Sequence, residues 1–232
     1  MDKEIFYNSI ADDFDSIMNM YDTNRRIEVI FDDFLGSENL KDKRLLDAGC
    51  GTGLFTKKAL EREANVTSID IAPKLVELTK KKNPATNAIE ASVLNLPFDD
   101  NTFDYVISSD VIEHTPNPYD ATKELIRVLK PGGKICITVP NRSFWYFSVV
   151  IANFLKIRDY QGFENWVHFK EFRKFLIQNN IQIETYKGIH LFPFVFSFLN
   201  PILYKLDRIT DKRLGILMVN IAAHGTKKTK TP

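Results

Sequence analysis

The chain has 232 residues, a length that suits one well-buried α/β core and needs no second domain. Its 31 Lys and Arg residues are balanced by 30 Asp and Glu residues, so the sequence carries no overall basic field. Because proteins that bind nucleic acid usually carry such a field, no nucleic-acid partner is expected.

The sequence shows no sign of export or of a transmembrane span. Cys50 and Cys136 both fall in segments typical of a buried sheet, a pattern of cysteine use that favours an intracellular protein. Met1–Glu4 lacks the basic and apolar regions of a secretory signal. The longest apolar stretches, Phe144–Leu155 and Ile189–Tyr204, are too short or are interrupted by proline. We expect a cytoplasmic protein.

Residues 1–40 precede the first predicted strand and are expected to form a helical flank or lid. Apolar residues recur there at helical spacing in two stripes. The stripes comprise Ile10, Phe14 and Ile17, followed by Ile27, Ile30, Phe31 and Phe34.

From residue 44 onward, short apolar runs alternate with longer amphipathic segments, which indicates βαβ units and a mostly parallel sheet. The predicted strands are Arg44–Ala48, Asn65–Asp70, Ala88–Ala91, Tyr105–Ser108, Lys134–Val139, Ile181–Tyr186 and Leu217–Ala223. The helix before the fifth strand should stop at Lys130–Gly133, because proline and glycine end helices.

We interpret residues 1–232 as one domain in four parts. The flank (1–40) is followed by a cofactor-binding core (41–140), a substrate cap with the sixth strand (141–206), and the last strand with a basic tail (207–232). The tail, Lys227–Lys230, contains no apolar residue and is expected to be solvated and disordered.

The segment Leu45–Gly53 is an apolar strand that runs into Asp47 and then into three glycines at alternate positions, Gly49, Gly51 and Gly53. Such glycines permit a tight turn and let a ligand approach the backbone at a helix N-terminus, where free N–H groups bind a carboxylate. Dinucleotide sites use the same device but place two residues between the second and third glycines. The shorter spacing here argues against a dinucleotide.

Asp70 ends the second predicted strand about 20 residues after the first glycine, the distance at which an acidic residue meets ribose hydroxyls. An aspartate that caps the helix beginning near Pro73 is the alternative. The upstream glycine turn favours the ribose role.

These motifs give the chain a resemblance to class I methyltransferases, and specifically to the ubiquinone-biosynthesis O-methyltransferase family. The motifs run in family order: Leu45–Gly53, Ser68–Asp70, Leu96–Phe98, Phe103–Val106, Ser109–His114 and Arg127–Gly133. The resemblance implies a doubly wound, Rossmann-like sheet of seven strands with an antiparallel final hairpin. It also implies that S-adenosylmethionine lies over the carboxyl ends of the strands, with the methyl acceptor above it.

The resemblance also assigns residues to the cofactor. The three glycines would wrap the methionine moiety, Asp70 would hold the ribose, and Ile71 would lie along the adenine. The further cofactor residues that we expect are Tyr7, Arg26, Asp47, Cys50, Ser92, Val93 and Ser109.

Three of these assignments have alternatives. Arg26 would pair with the methionine carboxylate, or it is a solvated helix arginine. Tyr7 would lie over the same carboxylate, or it packs in the core. Ser92 stands where the family commonly has an acidic residue that binds the adenine amino group. The contact with adenine would then depend more on the Val93 backbone, and the affinity for the cofactor would be weaker than in relatives.

The segment Ser109–His114 follows the fourth strand, at the edge where open α/β sheets bind ligands. Methyl transfer requires alignment of the acceptor and removal of its proton. His114 is suitably placed for a base, with Asp110 and Glu113 as its catalytic neighbours. Magnesium binding by these three residues is one alternative. A helix-capping role for Glu113 and His114 is the other.

Aromatic residues are dense in two segments after the fifth strand, 141–166 and 189–204. The resemblance implies an acceptor-covering cap there, with Trp145 and Phe194 as residues that test it. An apolar cap suits a small or lipid-like acceptor, or peripheral contact with a membrane. Alternatively, these rings form the core of the cap itself or the interface of a homodimer. His168 and His190, at the edges, are candidates for acceptor contact, with a structural role as the alternative.

We therefore expect an S-adenosylmethionine-dependent methyltransferase that acts on an oxygen atom. Methylation of carbon or nitrogen on the same fold is the nearest rival. A nicotinamide-dependent oxidoreductase and a non-catalytic cofactor-binding protein are alternatives from other classes.

Overall fold

The computed structural model describes residues 3–147, 150–151, 164–192 and 200–229. Within these ranges, seven strands form one sheet in the order β3-β2-β1-β4-β5-β7-β6. The strands are β1 Arg44–Ala48, β2 Asn65–Asp70, β3 Asn87–Glu90, β4 Phe103–Ser109, β5 Leu129–Pro140, β6 Ile181–Ile189 and β7 Asn220–Lys227.

The first five strands pair in parallel, and β7 lies antiparallel between β5 and β6. This confirms the predicted doubly wound sheet with an antiparallel final pair. The strand order reverses between β1 and β4. In sheets of this kind, ligands bind in the crevice outside the carboxyl ends of the strands at that reversal.

Helices cover both faces of the sheet. They are α1 Lys3–Ile10, α2 Phe14–Ile17, α3 Met20–Glu28, α4 Leu54–Glu61, α5 Pro73–Lys82, α6 Pro118–Val128, α7 Phe169–Gln178 and α8 Asn200–Thr210. One core cluster contains Leu125 and Phe172, and the other contains Phe31 and Phe55. None of the helices in the described ranges is long and apolar enough to cross a membrane.

The predicted N-terminal flank is helical, but its two stripes differ in burial. Asn19 begins α3 by accepting hydrogen bonds from the backbone of Tyr21 and Asp22. The helix continues into a π-helical segment, Val29–Phe34, which carries most of the second stripe into the core. Ile17, from the first stripe, is 60% exposed.

The last strand begins three residues later than predicted. Leu217, where the strand was predicted to begin, lies in a 3₁₀ turn, Gly215–Leu217, and does not belong to the sheet. The prediction that the basic tail starts at Lys227 was wrong as well. Lys227 ends β7, and its ammonium donates to the carbonyl oxygens of Ile126 and Leu129 at 2.8 and 2.7 Å.

Other boundaries moved as well, and the start of β5 lies five residues before the predicted Lys134. β3 begins one residue before the predicted strand, and β5 begins at Leu129 because that residue already pairs with Phe103 of β4. α8 crosses the boundary predicted at residue 206.

Phe172→Ala is expected to reduce the free energy of unfolding by about 3–5 kcal/mol, because the fully buried ring leaves a cavity in the core. Urea unfolding measures this change. Lys174→Ala, at an exposed position of the same helix, is the control and should stay within about 0.5 kcal/mol of the wild type. Equal losses in both variants would show that the helix, not the packing of Phe172, determines the effect.

Candidate active site

A tight turn connects β1 to α4. The backbone N–H groups of Gly49 and Cys50 both donate to the carbonyl oxygen of Ile69 at 2.8 Å, which fastens the turn to the end of β2. Gly49 has a φ of 81°, and a Cβ atom there would lie 2.2 Å from Val111. Gly53, with a φ of 84°, is the N-cap of α4. The glycines are thus required by backbone conformation and by the close approach of Val111.

A cavity of about 700 Å³ lies beside this turn, at the carboxyl ends of β1, β2 and β4. Most of the predicted site residues line it: Tyr7, Arg26, Gly49, Cys50, Gly51, Asp70, Ile71, Ser92, Val93, Ser109, Asp110 and His114. Asp47, Gly53 and Glu113 do not line it. The structure therefore brings the separate motifs to one place in the fold.

Asp70 joins the end of β2 to the glycine turn. One carboxylate oxygen accepts a hydrogen bond from the backbone of Gly51 at 3.0 Å, and the other accepts from Ala72 at 3.0 Å. Burial raises the pKa of Asp70 although both N–H groups favour its charged form. Each oxygen retains a further lone pair toward the cavity, so Asp70 is able to accept ligand hydroxyls while it holds the turn.

Asp47 lies behind the turn and supports it. Its carboxylate accepts a hydrogen bond of 2.6 Å from Thr56 of α4, and Thr56 also lies 2.7 Å from the hydroxyl of Ser68. Burial raises the pKa of Asp47 to about 6. A direct cofactor contact by Asp47 stays a prediction.

Arg26 reaches from α3 into the cavity wall. Its side chain is 7% exposed, and it donates to Asp22 and to the hydroxyl of Ser109, both at 2.9 Å. The guanidinium also lies 3.5 Å from Asp110. Arg26 is therefore buried, and the alternative of a solvated helix arginine was wrong. A charge buried this deeply needs partners, which Asp22, Ser109 and Asp110 provide.

Asp110 adopts a left-handed backbone conformation, with a φ of 53°, directly after β4. The hydroxyl of Thr138 donates to its carboxylate at 3.0 Å. Burial raises the pKa of Asp110 to about 6 although the guanidinium of Arg26 opposes this shift. Strained backbone of this kind is common at binding sites.

His190 does not line the cavity, contrary to its candidacy for acceptor contact. Its Nε2 atom lies 2.9 Å from Asp22, and its Nδ1 atom lies 3.4 Å from Asp207 of α8. Burial opposes protonation, but Asp207 and Asp22 outweigh it and raise the pKa of His190. His168, which precedes α7, does not line the cavity either.

His114 lies in a short turn after β4 and contacts the N-terminal flank. Its ring is 5.8 Å from the ring of Tyr7, and its Nδ1 atom is 3.5 Å from the ammonium of Lys3. Its Nε2 atom is 3.6 Å from the carboxylate of Glu113. Glu113 is 1% exposed, and burial together with the charge of Asp110 raises its pKa well above the usual range.

Asp110, Glu113 and His114 do not fit the magnesium site that was one alternative. In the part of the chain that the structure describes, no three His, Cys, Asp or Glu side chains are arranged to hold a metal ion. Arg26 already approaches the carboxylate of Asp110, and Glu113 lies outside the cavity wall.

The N-terminal helices, which the sequence predicted to be a flank or lid, supply one wall of the cavity. Lys3, Phe6, Ile10, Phe14 and Ile17 all line the cavity. The regular spacing of the first stripe signalled an apolar helix face. It carried no information about what that face covers.

The predicted aromatic cap is only partly described. The ring of Trp145 packs 5.5 Å from that of Phe144 and 5.5 Å from that of Phe192, and none of these three lines the cavity. Phe194 and most of the remaining aromatic residues of the two segments lie outside the described residues. The cap therefore stays a prediction.

Known proteins match the chain in sequence. The methyltransferase domain family matches residues 46–137. An uncharacterized protein of Methanocaldococcus jannaschii is 32% identical over 194 residues, which cover 79% of this chain and 76% of that one. The ubiquinone biosynthesis O-methyltransferase of Coxiella burnetii is 26% identical over 68% of this chain and 72% of its own. A demethylmenaquinone methyltransferase of Staphylococcus epidermidis is 32% identical over 50% of this chain and 51% of its own.

Solved structures share the fold. A Haloferax volcanii protein in complex with the Trm112 methyltransferase activator gives a TM-score of 0.69 at 15% identity, covering 96% of this chain and 98% of the other. A SAM-dependent methyltransferase from Thermotoga maritima gives a TM-score of 0.68 at 16% identity, with the same coverage of both chains.

The sheet order, the glycine turn and the acidic end of β2 define a class I methyltransferase. The sequence matches agree, and the chain belongs to the S-adenosylmethionine-dependent methyltransferases. It is therefore an enzyme, as the sequence predicted.

His190→Gln is expected to destabilise the fold in a pH-dependent way. Because the folded pKa of His190 is raised, its protonated form contributes stability below the unfolded pKa of about 6.5. This contribution is lost as the pH rises through the folded value. Urea unfolding across a pH series should show the largest deficit at low pH.

His168→Gln, outside the network, is the control and should show no such trend. A deficit for His190→Gln that is constant with pH would mean that His190 is neutral in the fold.

Proposed function

We propose that this enzyme transfers the methyl group of S-adenosylmethionine to a ring oxygen of an apolar, quinone-like small molecule. One observation carries the proposal: a single cavity is lined by Asp70 and the glycine turn, by His114, and by the apolar side chains of α1 and α2. A polar cofactor and an apolar acceptor have suitable surfaces within it.

The residues at the glycine turn suit the cofactor. Asp70 has lone pairs for two ribose hydroxyls, and Ile71, Val93 and Leu94 offer apolar surface to an adenine ring. The hydroxyl of Ser92 accepts from the backbone of Leu94 at 3.2 Å and also lines the cavity.

The Arg26 cluster suits the charged methionine end of the cofactor. Its guanidinium is fixed by Asp22, Ser109 and Asp110 before any ligand binds. Tyr7 lies in the same wall. A guanidinium that is already held in place binds a carboxylate without a cost of reorganisation.

His114 is the residue that we propose as the base. When bound, S-adenosylmethionine supplies an electrophilic methyl group on its sulfonium. The imidazole would accept the proton of the acceptor hydroxyl, and the bound cofactor would supply the methyl group, whose bond to sulfur breaks as its bond to the acceptor oxygen forms. The carboxyl group of Glu113 lies 3.6 Å from Nε2 of the ring.

The acceptor class rests on two further points. The wall formed by Phe6, Ile10, Phe14 and Ile17 is apolar. The Coxiella relative is named as an O-methyltransferase of ubiquinone biosynthesis, and the Staphylococcus relative is named as a methyltransferase of demethylmenaquinone. A panel of ring-hydroxylated quinols and catechols, with and without isoprenoid chains, tests the class by mass spectrometry of the methylated products. Products methylated only on carbon or nitrogen would contradict the proposal.

Asp70→Ala is expected to weaken S-adenosylmethionine binding by about 2 kcal/mol, roughly thirtyfold, because two ribose hydroxyls lose their acceptor. Titration calorimetry measures the change. Asp120→Ala, on the exposed surface of α6, is the control and should bind as the wild type does. Unchanged affinity in Asp70→Ala would remove the cofactor assignment.

His114→Ala is expected to lower kcat by roughly two to four orders of magnitude while the Kd for S-adenosylmethionine stays nearly unchanged, as for a base that acts only in the transition state. His168→Ala is the matched control. Loss of cofactor binding together with loss of folding would show that His114 is structural. Activity removed by a chelator and restored by magnesium would revive the metal alternative.

A further inference from the structure

Helix α8 attaches to the body of the protein by its acidic residues. The carboxylate of Asp207, which is 2% exposed, accepts hydrogen bonds from the backbone of His190 and Leu191 at 2.9 and 2.6 Å. Asp211, directly after the helix, accepts from the ammonium of Lys187 at 2.9 Å. The inward face of α8 is therefore held largely by polar contacts.

The outward face of α8 is apolar. Ile202, Leu206 and Ile209 are 60%, 41% and 75% exposed. Their spacing of four and then three residues places them in one stripe along the helix. In the following turn, Leu214, Ile216 and Leu217 are 37%, 42% and 48% exposed. A concentration of large exposed apolar side chains in one segment usually marks a site of association.

The same segment exposes only positive charge. Lys205, Arg208, Lys212 and Arg213 are exposed, and both of its acidic residues are buried and paired. Arg208 lies 3.4 Å from Glu28, so one of the four cations is partly compensated. We name the exposed side chains of residues 201–217 the α8 surface.

A cleft of about 540 Å³ lies beside the stripe. Arg208, Lys212 and Arg213 line it. Its two carboxylates, Asp33 and Asp211, are both bound by the ammonium of Lys187, at 2.6 and 2.9 Å. The wall of the cleft thus carries more cations than carboxylates, next to exposed apolar side chains.

We propose that the α8 surface docks on a bilayer that contains anionic phospholipids. The stripe enters the boundary of the acyl chains, and the cations at the cleft bind the lipid phosphates. A helix with apolar residues on one side and flanking Lys and Arg is suited to lie in the plane of the interface. Each cation near an anionic surface adds to the attraction.

A second copy of the chain fits this surface less well. A two-fold contact brings the same patch of both partners together. The cations of one α8 surface would then lie opposite the cations of the other. Like charges brought together in this way oppose association. The proposal involves a different element from the aromatic segments for which the sequence predicted membrane contact, and it does not rest on the identity of the methyl acceptor.

Flotation with vesicles tests the proposal on the full chain. Vesicles of phosphatidylcholine containing phosphatidylglycerol should bind the protein, and vesicles of phosphatidylcholine alone should not. Ile202→Ser with Ile209→Ser, and separately Lys212→Glu with Arg213→Glu, should each weaken binding about tenfold or more. Soluble glycerophosphate should compete poorly, because it lacks the acyl chains.

Matched controls lie elsewhere on the surface. Ile177→Ser on α7, and Lys80→Glu with Lys81→Glu on α5, change exposed residues of the same kinds and should leave vesicle binding unchanged. All variants should retain wild-type unfolding and S-adenosylmethionine affinity, which separates this proposal from that of methyl transfer. Absence of binding to the anionic vesicles, or equal binding by the α8 variants, would overturn the proposal. A dimer that the Ile202→Ser and Ile209→Ser changes dissociate, without vesicle binding, would reassign the surface to a subunit interface.

Discussion

The pairing of the buried guanidinium of Arg26 is the interaction on which the site depends. A cation with so little exposure must be compensated. Asp22 of α3, Ser109 at the end of β4 and Asp110 directly after it supply the compensation. These contacts hold the N-terminal flank against the carboxyl edge of the sheet. The flank then forms the apolar wall without which the edge would be an open groove. One ion cluster thus helps to give the edge of a general α/β sheet a walled cavity.

The same cluster reaches helix α8. Asp22 contacts both Arg26 and His190, and His190 contacts Asp207 of α8. Because polar groups attach this helix to the body, its apolar residues are free to face outward. The cavity wall and the α8 surface are therefore two ends of one buried network of charges. The strained backbone at His190, with a φ of 64°, is held in place by that network.

The parts of the fold and site that the sequence predicted are those encoded locally. β1, β2 and the glycine turn lie where expected, because short apolar or β-branched runs, glycines and acidic residues near strand ends carry their signals within a few residues. Lys227 was misassigned because its partners are carbonyl groups about 100 residues away in the chain. The cavity wall from α1 and α2, and the burial of His190, likewise depend on packing between distant segments. A single sequence states which face of a helix is apolar but not which surface that face covers.

The position of β7 has a consequence for the order of folding during synthesis. β7 lies between β5 and β6, although it is made after both. Until residues 220–227 have left the ribosome, β6 has no strand to pair with and the edge of β5 stays open. Ile181 and Ile189, fully buried in the finished sheet, are exposed throughout this interval. Open strand edges with unburied apolar residues favour aggregation. The nascent chain is therefore most vulnerable when the cofactor-binding half of the sheet is already complete.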